Sequence, residues 1–280
     1  MSESRKAKNY DELVYSDDFM FGKVMEDPGL CREVIECLLQ HPIGKLTTVQ
    51  TQREFQFTSD GKPIRLDVYN KDSDNVVYDT EMENLNHKSV ESHELPRRSR
   101  FYQSSIDIDF IDKGESYKKL PDSNVMFICT FDPFGKGKSI YTFKELCEEY
   151  SEIKLNDGTA KIFYNCTYQG SDIPEAIREF YDYVTTGNAK SKLTKRINDA
   201  VEKGRKNWNW RSQYMREFER LLDAREEGRE EKEFEIITNM LQSGMDIKDI
   251  IKVCKVPYER IKEISDGLKM PEKKEGIQNG

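Results

Sequence analysis

Histidine is scarce in this chain: His41, His87 and His93 are the only three in 280 residues. That leaves little for imidazole chemistry. His87 and His93 could share a metal, yet their flanks, Asn86-His87-Lys88 and Ser92-His93-Glu94, have the polar character of a loop. Paired cysteines are absent too. Cys31, Cys37, Cys129, Cys147, Cys166 and Cys254 are scattered with no CxxC spacing, which argues against a zinc or disulfide framework and predicts reduced thiols in a cytoplasmic protein. No apolar run approaches the ~20 residues that span a bilayer. The most compact, Val125-Met126-Phe127-Ile128-Cys129-Thr130-Phe131, is one strand long, so no membrane partner is expected. Met1-Ser2-Glu3-Ser4-Arg5-Lys6 lacks an apolar core, which predicts no secretory leader.

Hydrophobic residues are also few, at 36% against a usual value of about 45–50%. Charged residues reach 34% where about 25% is ordinary. The aromatic share of 11% can still build a core, so the composition predicts a packed domain joined to solvated helix or tail. The 44 bases and 52 acids leave a net charge of −8. This excludes a uniformly basic nucleic-acid coat but not a local basic patch.

Along the chain, 1–15 reads as a flexible, polar N-terminus. Ser16-Asp17-Asp18 has the form of a helix start with acids in the first turn, and Asp27-Pro28-Gly29 ends that helix. Leu30, Val34, Ile35 and Leu38 mark a second helix, stopped by His41-Pro42. Thr47–Phe57 reads as a long strand, followed by a turn at Gly61-Lys62-Pro63. Ile64–Tyr69 and Val76–Met82 read as two strands around the turn-rich Lys71–Asn75. A helix is expected over Leu95–Ile111 and closes at Lys113-Gly114. Val125–Phe131 has the composition of a central strand, Lys161–Cys166 reads as another, and Ile173–Val184 as a helix.

Pairing the two strands around a three-residue loop at Ser73–Asn75 puts Asp67 opposite Glu81. Alternation then places Glu81 and Glu83 on one face. Three carboxylates would converge there, and like charges across a strand pair are destabilising. Either they point into water, as on the solvated face of a hairpin, or something positive sits between them. A hard divalent cation suits such oxygen donors.

Several segments in order carry a family resemblance. They are Asp17-Asp18-Phe19-Met20-Phe21, Arg65-Leu66-Asp67-Val68-Tyr69, Glu81-Met82-Glu83, the stretch from Pro96-Arg97-Arg98-Ser99-Arg100 to Asp107, and Val125 through Gly135. Over about residues 15–266 the chain resembles the PD-(D/E)XK nuclease family transposases, the recombination-promoting nuclease group. The resemblance implies an α/β fold: a restriction-endonuclease-like mixed β-sheet core over 16–187, flanked by helices. It implies a metal-dependent DNA endonuclease that hydrolyses phosphodiester bonds with Mg2+, or with Mn2+ in its place. Asp67 and Glu81 would be the metal ligands. Glu83 occupies the third motif position, usually Lys in the wider superfamily and often Gln in this group. Gln103 could orient a water, and Arg97, Arg98 and Arg100 could clamp a phosphate. Asp17, Asp18 and Glu33 are candidates for a further acid at the metal. The alternative is a degenerate nuclease fold that binds DNA or another protein.

Residues 188–216 carry nine bases and two acids, net +7, and 217–235 nine acids and four bases, net −5. Together they predict one long charged helix over 188–235. Lys203, Arg205 and Lys206, interleaved with Trp208, Trp210 and Tyr214, suit a nucleic-acid backbone and stacked bases. Aromatics packed on the core while the bases snorkel fit the same pattern. Residues 236–268 read as a small helix-turn-helix-like module of short helices, suited equally to packing or to homo-oligomerisation through the C-terminal helices. The tail 269–280 reads as disordered.

Overall fold

The computed structural model describes residues 8–55, 64–84 and 94–268. They form two compact units, one ending at Ser212 and the other starting at Gln213.

In the first unit, α1 (Asp18–Met25) and α2 (Pro28–Leu39) precede three strands: β1 (Leu46–Phe55), β2 (Ile64–Asp72) and β3 (Val77–Glu83). Helix α3 (Glu94–Phe110) leads to β4 (Ser123–Cys129), the short β5 (Ile140–Phe143) and β6 (Thr159–Asn165), followed by α4 (Glu175–Thr186) and α5 (Lys192–Arg205). Local chemistry sets several of these boundaries. Asp27 caps α2 by accepting from Leu30 N at 2.7 Å, with Pro28 in its first turn. Ser191 caps α5 through Thr194 N, and Gly187, at φ +80°, ends α4 in the left-handed conformation glycine tolerates.

The six strands form one mixed sheet in the order β1-β2-β3-β4-β6-β5. β1, β2 and β3 are successively antiparallel, β3, β4 and β6 run parallel, and β5 closes the edge antiparallel to β6. Parallel β3 and β4 need a crossover, and α3 provides it. Every residue of β3 is buried, as expected for a central strand covered on both faces. On one face Leu95, Tyr102 and Ile106 of α3 pack with Val125, Phe127 and Cys129. Phe127 stacks on Tyr102 at 6.3 Å and on Phe163 at 5.1 Å. On the other face Cys31 of α2 lies against Asn70, and Cys37 bonds the Ala176 carbonyl.

The structure corrects two expectations and adds one strand. Residues 8–15 are no loose lead-in: Tyr10, Leu13 and Tyr15 are buried, and the Tyr10 hydroxyl donates to Gly204 O at 2.6 Å. The expected helix over 188–235 is two. α5 ends at Arg205, and α6 (Trp208–Gln242) starts where the Asn207 side chain accepts from the N–H groups of Asn209 and Trp210. Finally, β5 went unread in the sequence because four residues carry too little alternation.

In the second unit the end of α6 packs with α7 (Ile247–Cys254) and α8 (Tyr258–Leu268) around Ile237, Ile250, Val256, Ile261 and Ile264. The start of the expected helix-turn-helix-like module over 236–268 is thus the end of a 35-residue helix. The N-terminal residues 1–7, the turn at Gly61-Lys62-Pro63, His87, His93 and the tail 269–280 lie outside the described residues.

The β2–β3 turn hangs on one buried side chain. Asp72 accepts from Asp74 N and Val76 N at 2.9 Å each, from the Tyr78 hydroxyl at 3.0 Å and from Gly44 N at 3.2 Å. Asp72→Ala leaves four donors to find other partners and should cost about 2–4 kcal/mol in urea denaturation. A loss below about 1 kcal/mol would show that water replaces those bonds.

Candidate active site

The turn fixes the register Val68↔Thr80, Tyr69↔Asp79, Asn70↔Tyr78 and Lys71↔Val77. Continued by one residue, it sets Asp67 against Glu81, as the loop length predicts. Backbone and side chains lock the pair. Asp67 N donates to Glu81 Oε1 at 2.7 Å, and Met82 N donates to Asp67 Oδ2 at 3.2 Å.

Alternation places Asp79, Glu81 and Glu83 on one face of β3. They are 0%, 1% and 3% exposed, so the solvated-hairpin alternative does not describe this patch. Asp67 is half-buried. The positive group between the acids is Arg98 of α3. Its Nη1 lies 2.8 Å from Glu83 Oε2 and its Nη2 3.5 Å from Glu81 Oε2. The guanidinium carbon stands 5.4 Å from the ring centroids of both Tyr102 and Phe127, a cation–π seat.

Two guanidiniums, Arg98 and the Arg65 that acts on Asp67, face four carboxylates. Among the described residues no N–H or hydroxyl group donates to either oxygen of Asp79. Its polar neighbour is the Glu81 carboxyl, and two carboxyls meet stably only by sharing a proton or a cation. The titration behaviour reflects this crowding. Burial and then the charge of Asp18 push Asp67 up to about 6, against the pull of the Met82 N–H, Arg65 and Arg98. Burial also lifts Asp79 and Glu81 well above the usual carboxylate range; the charge of Asp67 adds to both. Burial works against the Arg98 charge, but Tyr102, Glu83 and Glu81 outweigh it and hold the guanidinium protonated. Asp18, at the start of α1 and open to solvent, joins the patch through its effect on Asp67.

The remaining candidates lie elsewhere. Arg97 and Arg100 are exposed and make no ion pair among the described residues; Arg98, expected on phosphate, faces the acids instead. Gln103 bonds Ser123 Oγ at 2.6 Å and Asp107 Oδ1 at 3.2 Å. Ser123 pairs with Val77, four register positions from the Glu81↔Phe127 pair and two from Asp79↔Val125, and Gln103 makes no hydrogen bond to Asp79, whose oxygens receive none. Asp17 accepts from Val14 N at 2.7 Å, and Glu33 pairs with Arg196. Arg205 is occupied by Leu13 O at 2.9 Å and Glu202 at 2.6 Å, while Lys203 and Lys206 are exposed. Trp208 is exposed, and Trp210 packs against Gly204, where a Cβ would meet its ring. Sequence reasoning missed Asp79; its signal was its parity with Glu81 and Glu83.

Among the described residues no three acid, histidine or cysteine side chains form a ready-made cation cage. The acids are turned instead onto Arg98 and onto backbone N–H groups. Arg98→Met should therefore destabilise the protein by about 3–5 kcal/mol at pH 8, the cost of orphaning buried charge. The sign with pH follows from raised folded-state values: the folded protein binds more protons than the unfolded chain between pH ~4 and ~6, so stability falls as pH rises through that window. The loss in Arg98→Met should shrink at pH 5, where the acids take up protons. Denaturant titrations at pH 5 and pH 8 check this, and an equal loss at both would reject it.

No family model, curated protein or solved structure matches the chain.

Proposed function

We propose that this chain is a cation-dependent DNA endonuclease of the PD-(D/E)XK type, with Mg2+ as its cofactor and Mn2+ able to replace it. The observation that carries the reading is Asp79, whose two buried oxygens receive no N–H or hydroxyl donor among the described residues and meet only the carboxyl of Glu81, on the strand beside that of Asp67. An oxygen-only donor set short of positive charge fits a hard divalent cation. The mixed sheet with helices on both faces agrees with the restriction-endonuclease-like architecture that the motifs imply.

Asp67, Asp79 and Glu81 would hold the ion, which when bound supplies Lewis-acid polarisation of a phosphoryl oxygen. The chain's own groups do the rest. Asp67 N–H orients Glu81, and Met82 N–H orients Asp67. Arg97 and Arg100, exposed on α3, attract the nucleic-acid backbone, and Lys203 and Lys206 add exposed positive charge on a second helix. Glu83 stands where the family places Lys or Gln, but it comes paired with Arg98, and a neutral pair repels phosphate far less than a bare carboxylate. Among the described residues no helix is long and apolar enough to cross a membrane, and all six cysteines are unpaired, which supports a cytoplasmic setting. Met215, Leu221 and Leu222, exposed on α6, support homo-oligomerisation through the C-terminal helices.

The commitment of Arg98 to Glu83 favours a second reading, a nuclease fold that binds DNA without cutting it. Incubation with supercoiled plasmid in Mg2+ or Mn2+ separates the two. The wild type should nick, and Asp67→Asn, Asp79→Asn and Glu81→Gln should each lose at least about 100-fold, the upper end of what groups merely supporting a metal ligand contribute. DNA retention without nicking in either metal would establish the second reading. Added Mg2+ should also raise the melting temperature at pH 8 more than at pH 5, because protons compete for the same carboxylates.

A further inference from the structure

We infer that Arg98 is the resident cation of this site: a divalent ion gains Glu81 by displacing the guanidinium, which is thereby released toward the phosphate of the substrate. The inference rests on the nuclease reading above and adds to it a residue that sets metal affinity and ties loading to substrate binding.

Four features support it. First, Arg98 lies over the acids on their solvent side. Its side chain is 26% exposed, whereas those of Glu81 and Glu83 are 2% and 4% exposed, so the guanidinium is the more accessible partner in both contacts. Second, the hold is uneven. The 2.8 Å contact to Glu83 is a charge-assisted hydrogen bond, but the 3.5 Å approach to Glu81 is longer than one. Third, the guanidinium is incompletely satisfied, since its buried Nε has no acceptor among the described residues. Fourth, the compensation is uneven: Arg65 acts on Asp67 but is not among the charges that act on Asp79 and Glu81, where Arg98 is the arginine, and the buried oxygens of Asp79 meet only the Glu81 carboxyl.

The contact to Glu81 is therefore the weak link, and Glu81 is the ligand that a metal needs. A divalent ion brings twice the charge of the guanidinium to these oxygen donors, and it repels a guanidinium placed beside it. Glu83 and the rings of Tyr102 and Phe127 tether Arg98 as it leaves, so the displaced group stays at the mouth of the site. There it meets the anionic backbone that Arg97 and Arg100 attract. An arginine poised between carboxylate and phosphate suits both, because its fork matches either partner.

Binding of Mn2+ to the full chain, followed by electron paramagnetic resonance of the free ion, tests the inference without relying on cleavage. Arg98→Gln should bind Mn2+ about tenfold tighter than wild type or better, the scale on which groups around a site change metal affinity. Asp79→Asn should abolish the gain. Equal or weaker binding by Arg98→Gln, with the wild type still binding, overturns the resident-cation role and leaves the nuclease reading standing. No binding by either protein overturns both. If Arg98→Gln fails to fold, as circular dichroism would show, a crystal structure of wild type with Mn2+ decides. The guanidinium should have left Glu81, and a retained Arg98–Glu81 contact beside a bound ion refutes the displacement.

Discussion

The buried face of β3 is held at the edge of tolerance by one ion pair. A carboxylate taken out of water is costly unless it is paired or protonated, and Asp79, Glu81 and Glu83 are all but inaccessible. Arg98 is the counter-charge that α3 delivers. Remove it and the central strand of the sheet carries uncompensated charge; keep it and the strand is still short of positive charge. The elevated titration of Asp67, Asp79 and Glu81 expresses that deficit, and a folded protein retains such a deficit most readily where a ligand makes it good.

The topology explains how acid and base come to meet. The antiparallel β2–β3 turn, organised by Asp72, sets the register that joins Asp67 to Glu81. The parallel relation of β3 to β4 demands a crossover, and α3 begins just past the end of β3, where the acids lie. Leu95, Tyr102 and Ile106 bury one face of α3, and Arg98 falls on that same face, one turn before Tyr102. The apolar packing that docks the helix therefore also aims its guanidinium at Glu83 and Glu81. Stability of the sheet and electrostatics of the site are one arrangement.

Much of this was readable from residues alone. The Asp67–Glu81 pairing follows from loop length and the two-residue period of a strand, both rigid constraints. The long elements follow from periodicity: α1, α2, α3 and the strands β2, β3, β4 and β6 lie within a few residues of their expected positions. What was harder depended on helix phase and on neighbours distant in sequence. Arg97, Arg98 and Arg100 look alike in the sequence, and only the phase of α3 against the sheet separates the inward arginine from its exposed companions. Gln103 lies near the same buried stripe but two-thirds of the way along it, where it meets Ser123 rather than the acids. The break at Asn207 was a capping signal hidden inside a run of charge. Tyr10, Leu13 and Tyr15 were three apolar residues in a polar segment, and their burial depends on contacts such as that of Tyr10 with Gly204, 194 positions away.

The net charge of −8 is a sum over parts with different fates. The −5 of 217–235 lies along α6, where most side chains are solvated and Lys232–Glu235 is a helical pair with little energetic weight. The acids of β3 are fewer but buried, so each of them counts for far more. Glu83 is the clearest case. As an isolated carboxylate facing a phosphate it would oppose the proposed chemistry; bonded to Arg98 at 2.8 Å it is half of a neutral pair. In the proposed site a carboxylate bonded to its own arginine would present a phosphate with a neutral position, as a glutamine would, because what a phosphate senses is the local field and not the identity of one side chain.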